Sequence, residues 1–402
     1  MKARPNSFLC LVVLCALSVF SALARAENPS DLPLARFNDP LERLEATFSA
    51  DKTPDQILED IPKQDARGNS FALEGLLRLY LKKYPELAPL LAKSKKLEDE
   101  LGFYNDSREN LDFGKAVHVP EMIMQQLEKE HADARKRMID VLEQEGWIRP
   151  KEQKTQPVAG RQFREALGRV KWMPPEEDAH YLLGRITHKV KSIQKSDYDM
   201  ADVNGGLHPL RRAVRWFLIY LQTVRGMVAL EDGGANKTHG DLLNSEIANG
   251  QYSRLATAEP AVTSMPRRLF LFFNQVVQEL GHLKDMGVAR ESWLKDAILK
   301  SGYVKVLRQQ GYDKTMRQKQ RYEHMAEFSD EDFAEAYARE LTKRHPDFKP
   351  VTSTAKGIYS EVLAKHILTP IRKRFEKTRK ELAKKCPLGN LATDLKGPSS
   401  TI

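Results

Sequence analysis

Cysteine is nearly absent from this chain of 402 residues, which has three, and that excludes a fold stapled by a disulfide framework. Two of the three, Cys10 and Cys15, fall in the only long apolar run, Phe8 to Leu23, which follows Lys2 and Arg4 and precedes Ala24-Arg25-Ala26. A basic start, a short apolar stretch and small residues at the cleavage-recognition positions read as an export signal over residues 1–26, cut before Glu27. Cys386 alone then remains, so no internal disulfide can form, and a bacterial periplasm suits such a protein better than a disulfide-rich medium; periplasmic or secreted is the expected location. No later stretch approaches the roughly 18–20 continuous apolar residues of a membrane span. Strand signals are scarce too. Alternating runs of Val, Ile and Thr bounded by turn residues hardly occur.

Catalytic signatures are equally sparse. The ten histidines include no His-Glu-x-x-His pair, and neither a zinc spacing of Cys and His, a Gly-x-Ser-x-Gly elbow nor a phosphate-binding glycine loop is present. No cofactor and no enzymatic activity are expected. His180 and His188 share a helical face behind Glu176, Glu177 and Asp178, a pattern that most often means a solvated first turn.

Helical periodicity fills most of the remainder, so the expected fold is all-α, in two packed helical bundles related by a possible internal duplication. Residues 27–40, with Pro29, Pro33 and Pro40, read as a linker. A first bundle covers 41–150, a polar stretch separates it from a second helical region over 158–385, and residues 390–402 read as a disordered tail. Between Glu231 and Ala261 the glycines suggest a long loop with at most one short helix near Asp241 to Ala248. One internal echo stands out. Glu100-Leu101-Gly102 with Asp106 matches Glu279-Leu280-Gly281 with Asp285, each read as a helix end, where glycine supplies the left-handed conformation.

Charge is unevenly placed. The formal +9 of the whole chain becomes +6 once the signal is removed. Residues 343–385 alone carry 13 Lys and Arg against four acids, so the rest is slightly acidic. Ile371, Phe375 and Leu382 give that last helix a narrow apolar stripe, and residues 371–385 could meet an anionic envelope surface or simply be solvated. Export and the low aromatic content argue against a nucleic-acid partner.

The most informative stretch is Leu207 to Phe217. Pro209 suits the first turn of a helix on which His208, Arg211, Arg212 and Arg215 share one face, opposite Leu210, Val214, Phe217 and Leu221. Cations in a first turn oppose the helix dipole and repel each other, so an acid must offset them: a bound anion, or carboxylates such as Asp202 and those near Asp285.

His-x-x-Arg-x-x-x-Arg at such a helix start, followed downstream by Leu280-Gly281 and Asp285, resembles the CHAD family over roughly residues 197–293. That resemblance implies paired four-helix bundles and binding of inorganic polyphosphate by His208, Arg211 and Arg215. Arg212, and Arg267, Arg268 and Lys284 from the next helix, are added as supporting cations. Departures are visible: Leu218 stands where the family has a third arginine, and Glu74 stands where the first half would carry its histidine, with Arg78, Lys82 and Lys83 as basic neighbours. The competing expectation is a periplasmic scaffold that binds a protein or envelope partner, with the arginines structural.

Overall fold

The computed structural model describes residues 32–149, 157–196, 208–231, 261–283, 290–312, 329–345 and 369–385, with a few isolated positions between them. Thirteen α-helices and one pair of short strands make up these segments, so the fold is all-α. The first five helices are α1 (Leu32–Thr47), α2 (Pro54–Lys63), α3 (Ala66–Tyr80), α4 (Ala88–Ala116) and α5 (Glu121–Gln144). After the polar stretch come α6 (Ala159–Gly168), α7 (Pro175–Lys195) and α8 (His208–Thr223). Strands β1 (Val228–Glu231) and β2 (Thr263–Pro266) pair in parallel, Val228 opposite Thr263, ahead of α9 (Arg267–Leu283). Then follow α10 (Arg290–Ser301), α11 (Val304–Gln309), α12 (Asp330–Thr342) and α13 (Thr369–Lys385).

Two of these elements replace expected irregular chain. Residues 32–40, read as linker, form the first half of α1. Pro33 lies in its first turn, where a missing N–H costs nothing, while Pro40 lies inside the helix and is buried with Phe37, Leu41 and Leu44. Interior proline costs about 3 kcal/mol in an isolated helix, and the apolar face buried on either side of it offsets that cost. The strand pair was not foreshadowed either. It joins α8 to α9 around residues 232–260, so the anticipated loop and its short helix lie outside the described residues. Asp202, Asp285, Lys284, Cys386 and the tail lie outside them as well.

The main core runs through the chain from Phe37 to Phe375 and takes side chains from both sides of the polar stretch at 150–157. A smaller core holds Leu111, Phe113, Ile123 and Leu127 from α4 and α5 against Leu294, Ile298, Phe333 and Leu341 from α10 and α12. The 29-residue helix α4 serves both cores, since at 1.5 Å per residue it is about 44 Å long.

At the centre, α7 does more than its sequence promised. Asp178, expected in a solvated first turn, is fully buried and accepts from the Arg36 guanidinium at 2.5 Å and from the Tyr80 hydroxyl at 2.7 Å. Arg36 also donates to the Tyr80 oxygen at 2.7 Å, and Trp172, Tyr84, Tyr181 and Phe37 surround the Tyr80 ring. Burial drives the Tyr80 phenol well above its usual range, so it stays a proton donor. Every partner in this network is matched, which is the condition for burying charge without a large penalty.

Candidate functional site

Helix α8 has the two sides its spacing predicts. Leu210, Val214, Phe217 and Leu221 are at most 2% exposed, while His208, Arg211 and Arg215 are half-buried and Arg212 is exposed. Burial extends further than expected, to Trp216, Leu218 and Ile219, because α3 packs across α8. Gly75 permits that crossing: a Cβ there would stand 2.8 Å from Ile219 Cγ2.

His208, Arg211, Arg212 and Arg215 line one open pocket of about 580 Å³. Helix α3 contributes Arg67, Phe71, Glu74 and Arg78 to it, and α10 contributes Arg290 and Trp293. The opposite wall is α4, with Lys95, Glu98, Asp99, Gly102, Phe103, Asp106 and Glu109. Seven lysines and arginines thus face five carboxylates, and the charges are segregated. The α8 wall carries three arginines with His208 and Trp216 and no acid, and the α4 wall is predominantly acidic.

Most cations outside α8 are tied to these acids. Arg67 meets Glu98 at 3.3 Å and Asp106 at 3.7 Å, Arg78 meets Glu74 at 2.6 Å, Lys95 meets Asp99 at 2.6 Å, and Arg290 meets Glu109 at 2.8 Å. Glu98 is 8% exposed, and burial pushes its carboxyl above the usual range; Arg67 opposes that, Glu74 adds to it and Arg215 lowers it. Glu74 is 1% exposed, and its Oε2 makes no hydrogen bond among the described residues.

Neither Leu-Gly echo takes the left-handed conformation. Gly102 lies in the middle of α4 and Gly281 in the last turn of α9, and each has an arginine guanidinium on its Cα. A Cβ on Gly102 would stand 2.6 Å from an Arg67 Nη, and one on Gly281 would stand 2.9 Å from an Arg211 Nη. Glycine is therefore used for close approach of a neighbouring cation, not for a left-handed cap. By its approach to a glycine of a neighbouring helix Arg67 parallels Arg211, and counted from these two arginines Gln64 stands at the position of His208 and Phe71 at that of Arg215.

The exchange at Phe71 has a physical reason. The Arg215 guanidinium stacks 4.6 Å from the centre of the Phe71 ring, and the Trp216 ring meets the same phenylalanine edge-on at 5.8 Å. An arginine at 71 would repel Arg215 across the helix crossing, whereas the aromatic face attracts it. Arg78 in turn lies 4.6 Å over the Trp216 ring.

Arg67, Phe71, Lys95 and Arg290 were not singled out from the sequence. The echo at Gly102 was the available clue to Arg67, but the intervening residues 232–260 make the arginine-to-glycine separation differ between the halves. Arg267 and Arg268 are exposed at the start of α9 and do not line the pocket, and Lys284 is outside the described residues. Among the described residues no group of three His, Cys, Asp or Glu is placed to hold a metal ion. His180 accepts from Arg379 Nε at 3.3 Å, while His188 is exposed among cations.

The basic C-terminal helix is partly spoken for. Ile371 and Phe375 join the main core, Arg374 forms a double hydrogen bond to Glu231, Glu376 pairs with Lys191 at 2.6 Å, and Arg372 donates to Gln194. Lys373, Lys377 and Lys380 are exposed. No described helix is long and apolar enough to cross a membrane.

Compared with protein-family models, with curated proteins and with solved structures, the chain matches none of them.

Proposed function

We propose that this protein is an exported binding protein that holds a phosphate-rich polyanion in the pocket between α3, α4, α8 and α10, without chemical turnover. The observation that carries this reading is the convergence of His208, Arg211, Arg212 and Arg215 with Arg67 on one open pocket. Guanidinium forks grip phosphate oxygens through paired charge-assisted hydrogen bonds, each worth about 1.5–3 kcal/mol. The CHAD-like motif at His208, Arg211 and Arg215 supports polyphosphate as the ligand class. The segregation of charge sets an orientation: the anion lies against α8, away from the acids of α4.

The test is calorimetric titration with polyphosphate at low and at moderate salt. Wild-type protein should bind with an affinity that falls steeply as salt rises. Arg211→Gln with Arg215→Gln should weaken binding by about a hundredfold or more, while helical circular dichroism stays intact. Undiminished binding by that variant would remove the site assignment.

A scaffold role draws on the ion pairs of Arg67, Arg78 and Arg290. Under that reading the double substitution lowers the melting temperature and the wild-type protein has no salt-sensitive affinity for polyphosphate.

A further inference from the structure

Beyond the pocket the cations continue onto α7. Arg185 and Lys189 lie one turn apart on that helix, where like charges cost a few tenths of a kcal/mol. Packing against α3 and α8 brings Arg78 and Arg212 close to them. Lys189 is half-buried, and the charges acting on it are Arg78 and Arg212, both of its own sign. Burial and these two arginines draw its ammonium below the usual lysine range. The Arg185 Nε is buried and makes no hydrogen bond among the described residues. The Tyr220 phenol lies buried beside Arg78 and Arg185, and burial pushes it up, so it remains neutral and offers no counter-charge. Among the described residues the carboxylate beside Tyr220 is Glu74, and it is already engaged by Arg78 at 2.6 Å. Arg185, Lys189 and Arg212 form no ion pair among the described residues.

A folded protein that gathers cations from three helices with Glu74 as the one matching acid among the described residues carries a repulsion that an anion would relieve. The two flanks of the pocket differ in this respect. Along α4 a charged chain would pass Glu98, Asp99, Asp106 and Glu109, whose neighbouring cations Arg67, Lys95 and Arg290 are already paired with them. Over Arg78 and Arg212 it would meet Lys189 and Arg185.

We infer that Arg185 and Lys189, with Arg212, form a second anion seat on the α7–α8 face, and that the ligand is a linear phosphate polymer whose end occupies the pocket and whose body crosses this face. The inference rests on the pocket reading above and extends it to ligand length. Short oligophosphates fill the pocket alone, and long chains engage both seats.

The experiment compares tripolyphosphate with a long-chain polyphosphate by calorimetric titration of the full chain. Three proteins are used: wild type, Arg185→Gln with Lys189→Gln, and Arg211→Gln with Arg215→Gln. The α7 variant should bind tripolyphosphate within about twofold of wild type but lose about tenfold in long-chain affinity, and its salt slope for the long chain should fall by about two. The α8 variant should lose both ligands. Because the α7 substitutions remove like-charge repulsion, melting should occur at or above the wild-type temperature; Lys189→Gln alone gives the same readout should Arg185 prove needed for folding. Wild-type affinity of the α7 variant for the long chain, or equal losses on both ligands, overturns the second seat and leaves the pocket reading standing. Failure of wild type to bind either ligand overturns both.

Discussion

The two arginine-on-glycine units share one geometry and differ in the residues of the helix that carries the arginine. Arg67 lies on Gly102 with Glu98 and Asp106 within 4 Å, so it is clamped by acids of the helix it rests on. Arg211 lies on Gly281 and belongs to a helix with no acid in its entire length, flanked by His208, Arg212 and Arg215. The shared part is steric, a glycine that lets a guanidinium reach the helix axis. The difference lies along the arginine's own helix, where Arg67 shares α3 with the buried Glu74 and Arg211 shares α8 with His208, Arg212 and Arg215, the wall on which the ligand is proposed to lie. Glu98 engages Arg67 in the first unit, and a phosphate is proposed to engage Arg211 in the second.

Four substitutions probe this contrast. The largest effect is expected where the halves touch. Gly75→Ala would force a methyl into Ile219, which is 2% exposed and cannot swing aside, so the gain in helix propensity is outweighed and stability should fall by about 1–2 kcal/mol in chemical denaturation. Unchanged stability would mean that α3 and α8 can separate freely.

Next, Glu98→Gln should loosen the first unit. Releasing Arg67 from its clamp should raise polyphosphate affinity by about three- to tenfold, on the order of 1 kcal/mol. The pH dependence has a defined sign. Glu98 has a raised carboxyl pKa, so the folded protein holds this proton to higher pH than the unfolded chain does. The stability tied to that proton is full below the ordinary glutamate range and declines as pH rises through the raised value. Anion affinity should decline over the same window, as Glu98 acquires charge beside the ligand, and Glu98→Gln should flatten that part of the profile. An identical profile in the variant would assign the dependence to another group.

The smallest effects come from the glycines themselves. The atoms that a new methyl would meet are the far ends of arginine side chains, which can move, so Gly102→Ala and Gly281→Ala should each leave stability unchanged or raise it by up to about 1 kcal/mol. Gly281→Ala should nevertheless weaken polyphosphate severalfold by displacing Arg211, and Gly102→Ala should not. Equal effects on binding would make the two units equivalent.

Much of this architecture was legible in residue spacing. The cationic and apolar sides of α8 follow from its period, and the helical class follows from the scarcity of alternating patterns. Two kinds of feature were not. Pro40 and Asp178 look like surface residues locally, and only their tertiary partners, the apolar side of α1 and the pair Arg36 and Tyr80, make them interior ones. Glycine likewise has two uses with one sequence appearance. A Leu-Gly at the end of an apolar stripe reads as a cap, and nothing local reveals an arginine from another helix resting on it. The acidic wall of α4 was hidden for the same reason, since its carboxylates look like ordinary solvent-facing residues until α3 and α8 are set opposite them.

Helix α7 is gripped from both ends of the described chain. Arg36 of α1 reaches Asp178 near its start, and α13 lies along it through Glu376 to Lys191, Arg379 to His180 and over Gly184, and Thr369 to Gln194. These contacts join residues 142 to 199 positions apart, so they close late and at a high loop-closure cost. Folding should therefore finish with the arrival of α13. Until then the central helix has one flank open to water or to other chains, and a nascent or truncated protein lacking α13 should be more prone to aggregate than its helical content alone would suggest.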